Sequence, residues 1–345
     1  MTRLSYSRCP AVPTVSALAH QLGLIEEELK GEPGIEPEFV IAGFSPKVDY
    51  GHEDRYWLRN AGHAPALWKR AKGVDARIVG LSFLEGSYPV FSLASSGIGS
   101  VADLKGKRLA VVGRKESAFD LMVNQQLKIY RTTLATAGLT LEDVTLVDLD
   151  QTPPPADAPR QDIFQHLFTS RLALLQDGVV DAVTATIPPD IGAFPQLNIL
   201  YDTRQHPDPR ERVNPSVLRG LVVSAALIEE RRDLVVRILA RLLEAADWAI
   251  AHPLEAIRLI ARDFGIPPER LASTYESLAQ GIQLDFDDKR LSALQVQKDF
   301  LLEHRLIERD IDLDAFVDTS LLAEARDLYA RRQSNGAQPV LSPAE

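Results

Sequence analysis

The hydrophobic and polar positions along the chain form short apolar runs that alternate with longer segments of helical period. Residues 4–9 predict a strand that ends before Pro10 and Pro13, since proline cannot donate to a β-ladder. Residues 14–22 carry apolar side chains at helical spacing, with Thr14 available as the N-cap. The same pattern predicts further strands in IEPEFVIAG, ARIVGLSF, YPVFSLASS, Arg108–Val112 and DVTLVDL, and helices over 64–72, from about Ser117 to Ala137 and over about Ile163–Gln176. This alternation predicts an α/β protein with mostly parallel sheets flanked by helices.

Two proline-rich segments, DQTPPPADAPRQD and TRQHPDPRERVNP, predict exposed loops. After the second loop the chain returns to a strand near Arg219 and is then almost wholly helical. We therefore predict two lobes, one made of residues 1–100 plus 215–332 and one made of residues 101–214, with a disordered tail over 333–345. Ligands of such α/β lobes bind outside the carboxyl ends of the strands. We expect the ligand in a cleft between the lobes, where Cys9 ends the first strand.

Composition narrows the possible functions. The net charge of −10 provides no basic surface for nucleic acid, so a bound anion would need local arginines, lysines or helix N-termini. The single cysteine excludes an internal disulfide and a multi-cysteine metal site. The N-terminal residues do not match a signal peptide, and no apolar run is long enough to span a membrane. We expect a cytoplasmic, soluble protein, monomeric or weakly dimeric.

Four segments carry a family resemblance. SVADLKGKRLAVVG and LLQDGVVDAVTATIPP resemble the lobe-crossing and strand segments of the type II periplasmic-binding-protein fold, in particular the nitrate, sulfonate and taurine binding proteins. YSRCP, followed by VPT, and YWLRNAGHAPALWKRAKGVDARIVGLSF resemble the aryl-sulfinate desulfinases. The resemblance extends to about residue 330. It implies a two-lobed, cofactor-free enzyme that cleaves a carbon–sulfur bond and releases sulfite.

The resemblance assigns roles position by position. The catalytic cysteine of the family falls on Cys9 and its nearby serine on Ser7. The arginine that holds the sulfinate falls on Arg59, and the second glycine of that segment falls on Gly62. The histidine of the family falls on Asp49 instead. His52, three residues later, is the nearest histidine. Either a small shift in register brings His52 into the catalytic role, or this protein lacks that group.

The chemistry of these residue types fits the implied reaction. A thiol near cationic groups can deliver a proton or attack as a thiolate, although a lone cysteine such as Cys9 is also often a small core residue. The planar guanidinium of Arg59 can bind both sulfinate oxygens at once; the alternative is a surface salt bridge with Glu53 or Asp54. Gly62 would let a backbone N–H approach the same oxygens, or it is a simple turn residue.

Further candidates surround this segment. Tyr50 and Trp57 could line a pocket for an aromatic ring, or pack in the core. Ser117 could present a helix N-terminus to an anion, or serve as a simple N-cap. We expect His63 at the surface, at the start of a helix. The spacing of His52 and His63 matches no metal motif, so we predict neither metal nor cofactor.

Three functions remain to be compared. The first is a desulfinase for an aromatic or related sulfinate, with Cys9 as proton donor or nucleophile. The second is the substrate-binding component of an ABC-type transporter for a sulfonate or other small organic anion. The third, a thiamine-pyrimidine-type synthase on the same fold, is disfavoured because the resemblance implies many cysteines and histidines at its site and this chain has one cysteine.

Overall fold

The computed structural model describes residues 1–9, 12–41, 54–114, 119–151, 160–185, 194–275 and 277–335. Its strands, in chain order, are β1 Thr2–Arg8, β2 Ile35–Ile41, β3 Tyr56–Gly62, β4 Ala76–Phe83, β5 Pro89–Leu93, β6 Arg108–Gly113, β7 Thr145–Asp150, β8 Val183–Thr184, β9 Leu197–Asp202 and β10 Leu218–Ser224. Its helices are α1 Val15–Gln21, α2 Leu24–Leu29, α3 His63–Ala71, α4 Leu121–Ala135, α5 Arg160–Gln176, α6 Pro209–Arg212, α7 Ala225–Ala251, α8 Pro253–Phe264, α9 Pro268–Thr274, α10 Leu278–Gly281, α11 Asp288–Glu303, α12 Leu313–Phe316 and α13 Ser320–Ser334. No helix within the described ranges combines the length and the apolar character that crossing a membrane requires.

The contacts divide the chain into two compact units. The first unit comprises Met1–Leu84, Leu218–Phe264 and Ser277–Glu345, and the second comprises Glu85–Val217 and Gly265–Glu276. This division corrects the predicted lobe boundary near residue 100. β5 pairs with β8 and β9, so the chain leaves the first unit before β5 begins.

The first unit is built on one five-stranded sheet with the order β2-β1-β3-β10-β4. β1 pairs in parallel with β2 and with β3, whereas β10 is antiparallel to both β3 and β4. β3 and β4 therefore run in the same direction as β1 and β2. The carboxyl ends of these four parallel strands share one edge of the sheet, which is where the family resemblance places the functional residues.

The second unit has the same kind of sheet. β6 and β7 pair in parallel, and a parallel bridge between Leu109 and Ala182 connects β6 to the chain next to β8. β5 is antiparallel to both β8 and β9. Apolar side chains from β5, β6, β8 and α5, among them Phe91, Val112 and Phe168, form its core. The predicted α/β class is confirmed, but the sheets are mixed and not mostly parallel: in the described residues three strand pairings are parallel and four are antiparallel.

The local predictions hold best where a capping residue marks the boundary. α1 begins after Thr14, whose side-chain oxygen accepts a hydrogen bond from the Ala17 N–H at 3.3 Å. α4 begins at Leu121, four residues later than the predicted start, because Asp120 is its N-cap. The predicted disordered tail over 333–345 begins too early, since α13 continues to Ser334; residues 336–345 lie outside the described part.

Candidate functional site

The site is built where β1 and β3 lie side by side. Their register pairs Ser7 with Arg59 and Arg8 with Asn60. Successive residues of a strand point to opposite faces of the sheet. Arg59 and Ser7 therefore share one face. Cys9, two residues after Ser7, is the next residue on that face.

Cys9 lies directly after the last residue of β1 and is 5% exposed, with a free thiol. It packs in a small buried cluster with Val12 and Ala61. Ala61 is two residues beyond Arg59 along β3, on the same face. The thiol is thus held at the carboxyl edge of the sheet, two residues after Ser7, which lies opposite Arg59.

Arg59 is buried, with 3% of its surface exposed, and its Nη1 donates to the carbonyl oxygen of Gly62 at 3.4 Å. This burial contradicts the alternative of a surface salt bridge. Asp54, one of the two predicted partners, lies 3.6 Å from the Nε of Arg3, and Glu53 lies outside the described residues.

Gly62 connects β3 to α3. It is the last residue of the strand and the N-cap of the helix, with φ −50° and ψ 136°. A glycine cannot cap the first turn with a side chain, and the helix has no side-chain cap. Uncapped N–H groups at a helix N-terminus carry a partial positive charge. An anion bound next to Gly62 would meet this charge as well as that of Arg59.

Ser7 and Trp57 complete the described part of the predicted site. Ser7 is buried, and its carbonyl oxygen accepts a hydrogen bond from Ser16 Oγ at 3.4 Å. Trp57 is also buried, two residues before Arg59 on the same face of β3. Its backbone N–H donates to Ser224 Oγ at 3.3 Å. The indole therefore lies further from the carboxyl end of β3 than Arg59 does. There it can pack in the core and also contact a ligand.

His63 corrects one prediction. It begins α3, but it is fully buried and not at the surface. Its Nδ1 lies 2.8 Å from the carbonyl oxygen of Leu218 and its Nε2 lies 3.1 Å from Oε1 of Gln297. Burial lowers the pKa of His63 to about 4, so the ring is neutral near pH 7. Both ring nitrogens are engaged where α3 packs against β10 and α11.

Four residues of the sequence prediction lie outside the described residues: Asp49, Tyr50, His52 and Ser117. Their roles stay predictions. The amides of Met122 and Val123 at the start of α4, the helix that Ser117 was predicted to open, donate to the carboxylate of Asp120. Among the described residues, no three His, Cys, Asp or Glu side chains are grouped so that they could hold a metal ion.

One contact at the site was missed by the sequence prediction. Arg8, between Ser7 and Cys9, points to the opposite face and forms an ion pair with Asp263 at the end of α8, with Nε–Oδ2 at 2.6 Å and Nη2–Oδ1 at 2.9 Å. Its Nη1 donates to the carbonyl oxygen of Cys9 at 3.0 Å. Arg8 and Asp263 are 255 positions apart, so no local pattern connects them.

Comparison with known proteins supports the predicted resemblance. The chain is 25% identical to the 2'-hydroxybiphenyl-2-sulfinate desulfinase of Rhodococcus erythropolis, over 92% of either chain. Residues 63–157 match the family described as NMT1/THI5 like.

Solved structures show the fold. The crystal structure of the desulfurization enzyme DszB covers 95% of this chain and 100% of its own, with a TM-score of 0.76 and 23% identity. The sulfonate-binding protein SsuA of Methylobacillus flagellatus covers 100% of this chain and 98% of its own, with a TM-score of 0.71 and 16% identity. The chain is thus similar over nearly its whole length to a sulfinate desulfinase and has a periplasmic-binding-protein-like fold, as the sequence predicted.

Proposed function

We propose that this protein is a desulfinase that cleaves the carbon–sulfur bond of an aromatic or related sulfinate. An aryl sulfinate and water would give the arene and hydrogen sulfite, a hydrolysis that needs no redox partner. The similarity to a desulfinase over 92% of the chain supports this reaction class. We place the protein in the cytoplasm, an expectation that comes from the sequence alone.

The observation that carries the proposal is the pairing of β1 with β3. Ser7 lies opposite the buried Arg59, and the free thiol of Cys9 follows two residues after Ser7. A thiol and a guanidinium on the same face of neighbouring strands suit a substrate whose acidic group is attached directly to the reacting carbon. In an aryl sulfinate the sulfur bears both oxygens and is bonded directly to the ring carbon.

The anion would be held by two positive groups. The guanidinium of Arg59 presents parallel N–H donors that match two sulfinate oxygens. The N-terminus of α3 after Gly62 adds its partial charge on the same side of the sheet edge. Both are local, as a protein with a net charge of −10 requires if it is to bind an anion.

Cys9 can act by either of two routes, and atoms and charges balance in each. In the first, the thiol protonates the ring carbon, the electrons of the carbon–sulfur bond restore the aromatic ring, and sulfur dioxide leaves. Water then adds to the sulfur dioxide and returns a proton to the thiolate. In the second, the thiolate attacks sulfur and expels the aryl group, which takes up a proton, and water hydrolyses the resulting thiosulfonate to the thiol and sulfite.

Sulfite release from a panel of aryl and alkyl sulfinates tests the proposal. We expect release by the wild type and none by Cys9→Ser, because a hydroxyl is a far weaker acid and nucleophile than a thiol. Ser5→Ala is a matched control: it changes a buried residue on the same face of β1, away from the strand end. Intact-mass analysis of quenched reactions separates the two routes, since only the second adds one sulfur dioxide to Cys9.

The second candidate is a binding protein for a sulfonate or other small organic anion. The SsuA-like fold supports it, because a sulfonate-binding protein has the same fold as this chain. If neither the wild type nor Cys9→Ser releases sulfite, while an organic sulfonate raises the melting temperature of both, this second function replaces the first.

A further inference from the structure

We infer that Arg8, held by Asp263, is the residue that positions Cys9 for its chemistry. Arg8 acts through the backbone: it binds the carbonyl oxygen of Cys9 and makes no contact with the substrate. This inference rests on the proposed function, because it assigns a partner to the proposed reactive thiol.

The need for such a contact follows from where β1 ends. Arg8 is the last residue of β1 in both ladders, paired with Ile41 of β2 and Asn60 of β3. Cys9 follows and, among the described residues, has no partner in the ladder with β3. A residue beyond the last ladder pair would ordinarily be free to move with the loop after it. The Nη1 of Arg8 supplies the missing constraint, since it donates to the Cys9 carbonyl oxygen at 3.0 Å.

The guanidinium is itself held by Asp263. Its Nη2 donates to Oδ1 of that carboxylate at 2.9 Å, and its Nε lies 2.6 Å from Oδ2 as an ion-pair contact without a hydrogen bond. Nη2 also lies 3.3 Å from the main-chain oxygen of Asp263. Its Cζ lies 4.9 Å from the centre of the Phe264 ring, so the cation also contacts an aromatic face. Cys9 is thereby tied through Arg8 to the end of α8, an element distant in sequence.

Burial supports a positioning role over a purely stabilising one. The side chain of Arg8 is 1% exposed and that of Asp263 is 9% exposed. Removing both charges from water costs a large part of what their attraction returns, so a buried ion pair is a poor source of net stability. The hydrogen bonds from Nη2 to the carboxylate and the main-chain oxygen of Asp263 do, however, fix the orientation of the guanidinium. The orientation fixed here is that of the group that binds Cys9.

The side chains of Arg8 and Cys9 lie on opposite faces, since they are neighbours at a strand end. Arg8 therefore cannot donate to a ligand held by Arg59 on the face of Cys9. Its effect on the reaction should appear in turnover, through the place of the thiol, and little in substrate binding.

Two variants test this inference. Asp263→Asn keeps the shape of the carboxylate but removes its charge and turns an amide N–H₂ towards Arg8, so the ion pair is lost. Arg8→Lys keeps the charge but can reach only one of its two partners, Asp263 or the Cys9 oxygen. Glu32→Gln is the matched control: it breaks a buried ion pair, with Arg231 and Arg237, elsewhere in the same unit.

Two readouts are measured on folded protein. The first is kcat and KM for sulfite release. The second is the rate at which iodoacetamide alkylates the thiol, read by intact mass, which reports on Cys9 alone because the chain has no other cysteine. We expect Asp263→Asn to lower kcat about tenfold to a hundredfold with KM within about twofold. We expect alkylation to become about fivefold faster as the strand end opens, with Arg8→Lys intermediate and Glu32→Gln unchanged.

The inference is overturned if Asp263→Asn leaves both kcat and the alkylation rate at wild-type values. It is also overturned if Glu32→Gln, at an equal loss of melting temperature, changes both as much, since the effect is then general destabilisation. If the wild type releases no sulfite, the proposed function fails, yet the alkylation rate still decides whether Arg8 and Asp263 hold Cys9 in place.

Discussion

Replacing Arg59 tests the proposed sulfinate contact most directly. A hydrogen bond to a charged group contributes about 1.5–3 kcal/mol, and a guanidinium can make two such bonds to the two oxygens of a sulfinate. Arg59→Lys keeps the charge at a buried position but offers a single ammonium, so about one bond is lost. At about 1.4 kcal/mol for each factor of ten, kcat/KM should fall about tenfold to 150-fold. Arg59→Gln also loses the charge and should fall further.

The assay is sulfite release over a range of sulfinate concentrations, with the melting temperature of each variant measured alongside. Arg70→Lys is the control, since Arg70 lies on α3 after the same glycine but pairs with Asp75 at 3.3 Å and lies over the ring of Phe316. It should remain within about twofold of wild type. If Arg59→Lys retains full kcat/KM, the two-oxygen contact is refuted. If Arg59→Gln does as well, Arg59 does not bind the anion.

Two further predictions concern stability against pH. Burial lowers the pKa of His63 to about 4, below its unfolded value near 6.5. The unfolded state therefore binds more protons between these two values, and the free energy of unfolding falls as pH drops from about 6.5 to 4; urea unfolding should show about 2 kcal/mol less stability at pH 5 than at pH 7 from this group. His63→Gln should show a weaker dependence of stability on pH, and a dependence equal to that of the wild type would contradict the assignment. Burial alone would raise the pKa of Glu28, but hydrogen bonds from Arg332 and Arg241 outweigh it and lower that pKa. The contribution of Glu28 to stability is therefore present above about pH 4.3 and is lost on further acidification. Glu28→Gln should lower the free energy of unfolding by about 1–3 kcal/mol at pH 7, and an unchanged urea midpoint would show that these ion pairs do not stabilise the protein.

The sequence predicted what local periodicity and capping control. The strand predicted over residues 4–9 and the helix that begins after Thr14 both follow from a few neighbouring residues, and both are present, although β1 ends at Arg8, one residue before Cys9. The α/β class follows in the same way, since the alternation of strands and helices is a property of segments. The resemblance added the association of Cys9 with Arg59, which no local pattern contains. The register of β1 with β3 pairs Ser7 with Arg59, so Cys9 follows two residues after the position opposite Arg59.

The parts that could not be predicted depend on contacts between distant segments. His63 was expected at the surface because a polar residue at a helix start usually is, but Leu218 and Gln297 enclose it. The boundary of the first unit at Leu84 depends on which unit β5 pairs in. The contact of Arg8 with Asp263 connects the beginning of the chain to α8, and a lone arginine in a strand gives no sign of a partner so far away.

We propose different roles for the two neighbouring cations of this site, Arg8 and Arg59, because of strand register. Register pairs Arg59 with Ser7, which places its side chain on the face of Cys9, while Arg8 alternates to the other face and binds Asp263. A slip of one residue would exchange the faces and bring Arg8 towards the ligand side. An arginine in the YSRCP segment therefore says little by itself about anion binding. The face to which the sheet assigns it determines whether its charge reaches a ligand or fixes the backbone of the thiol.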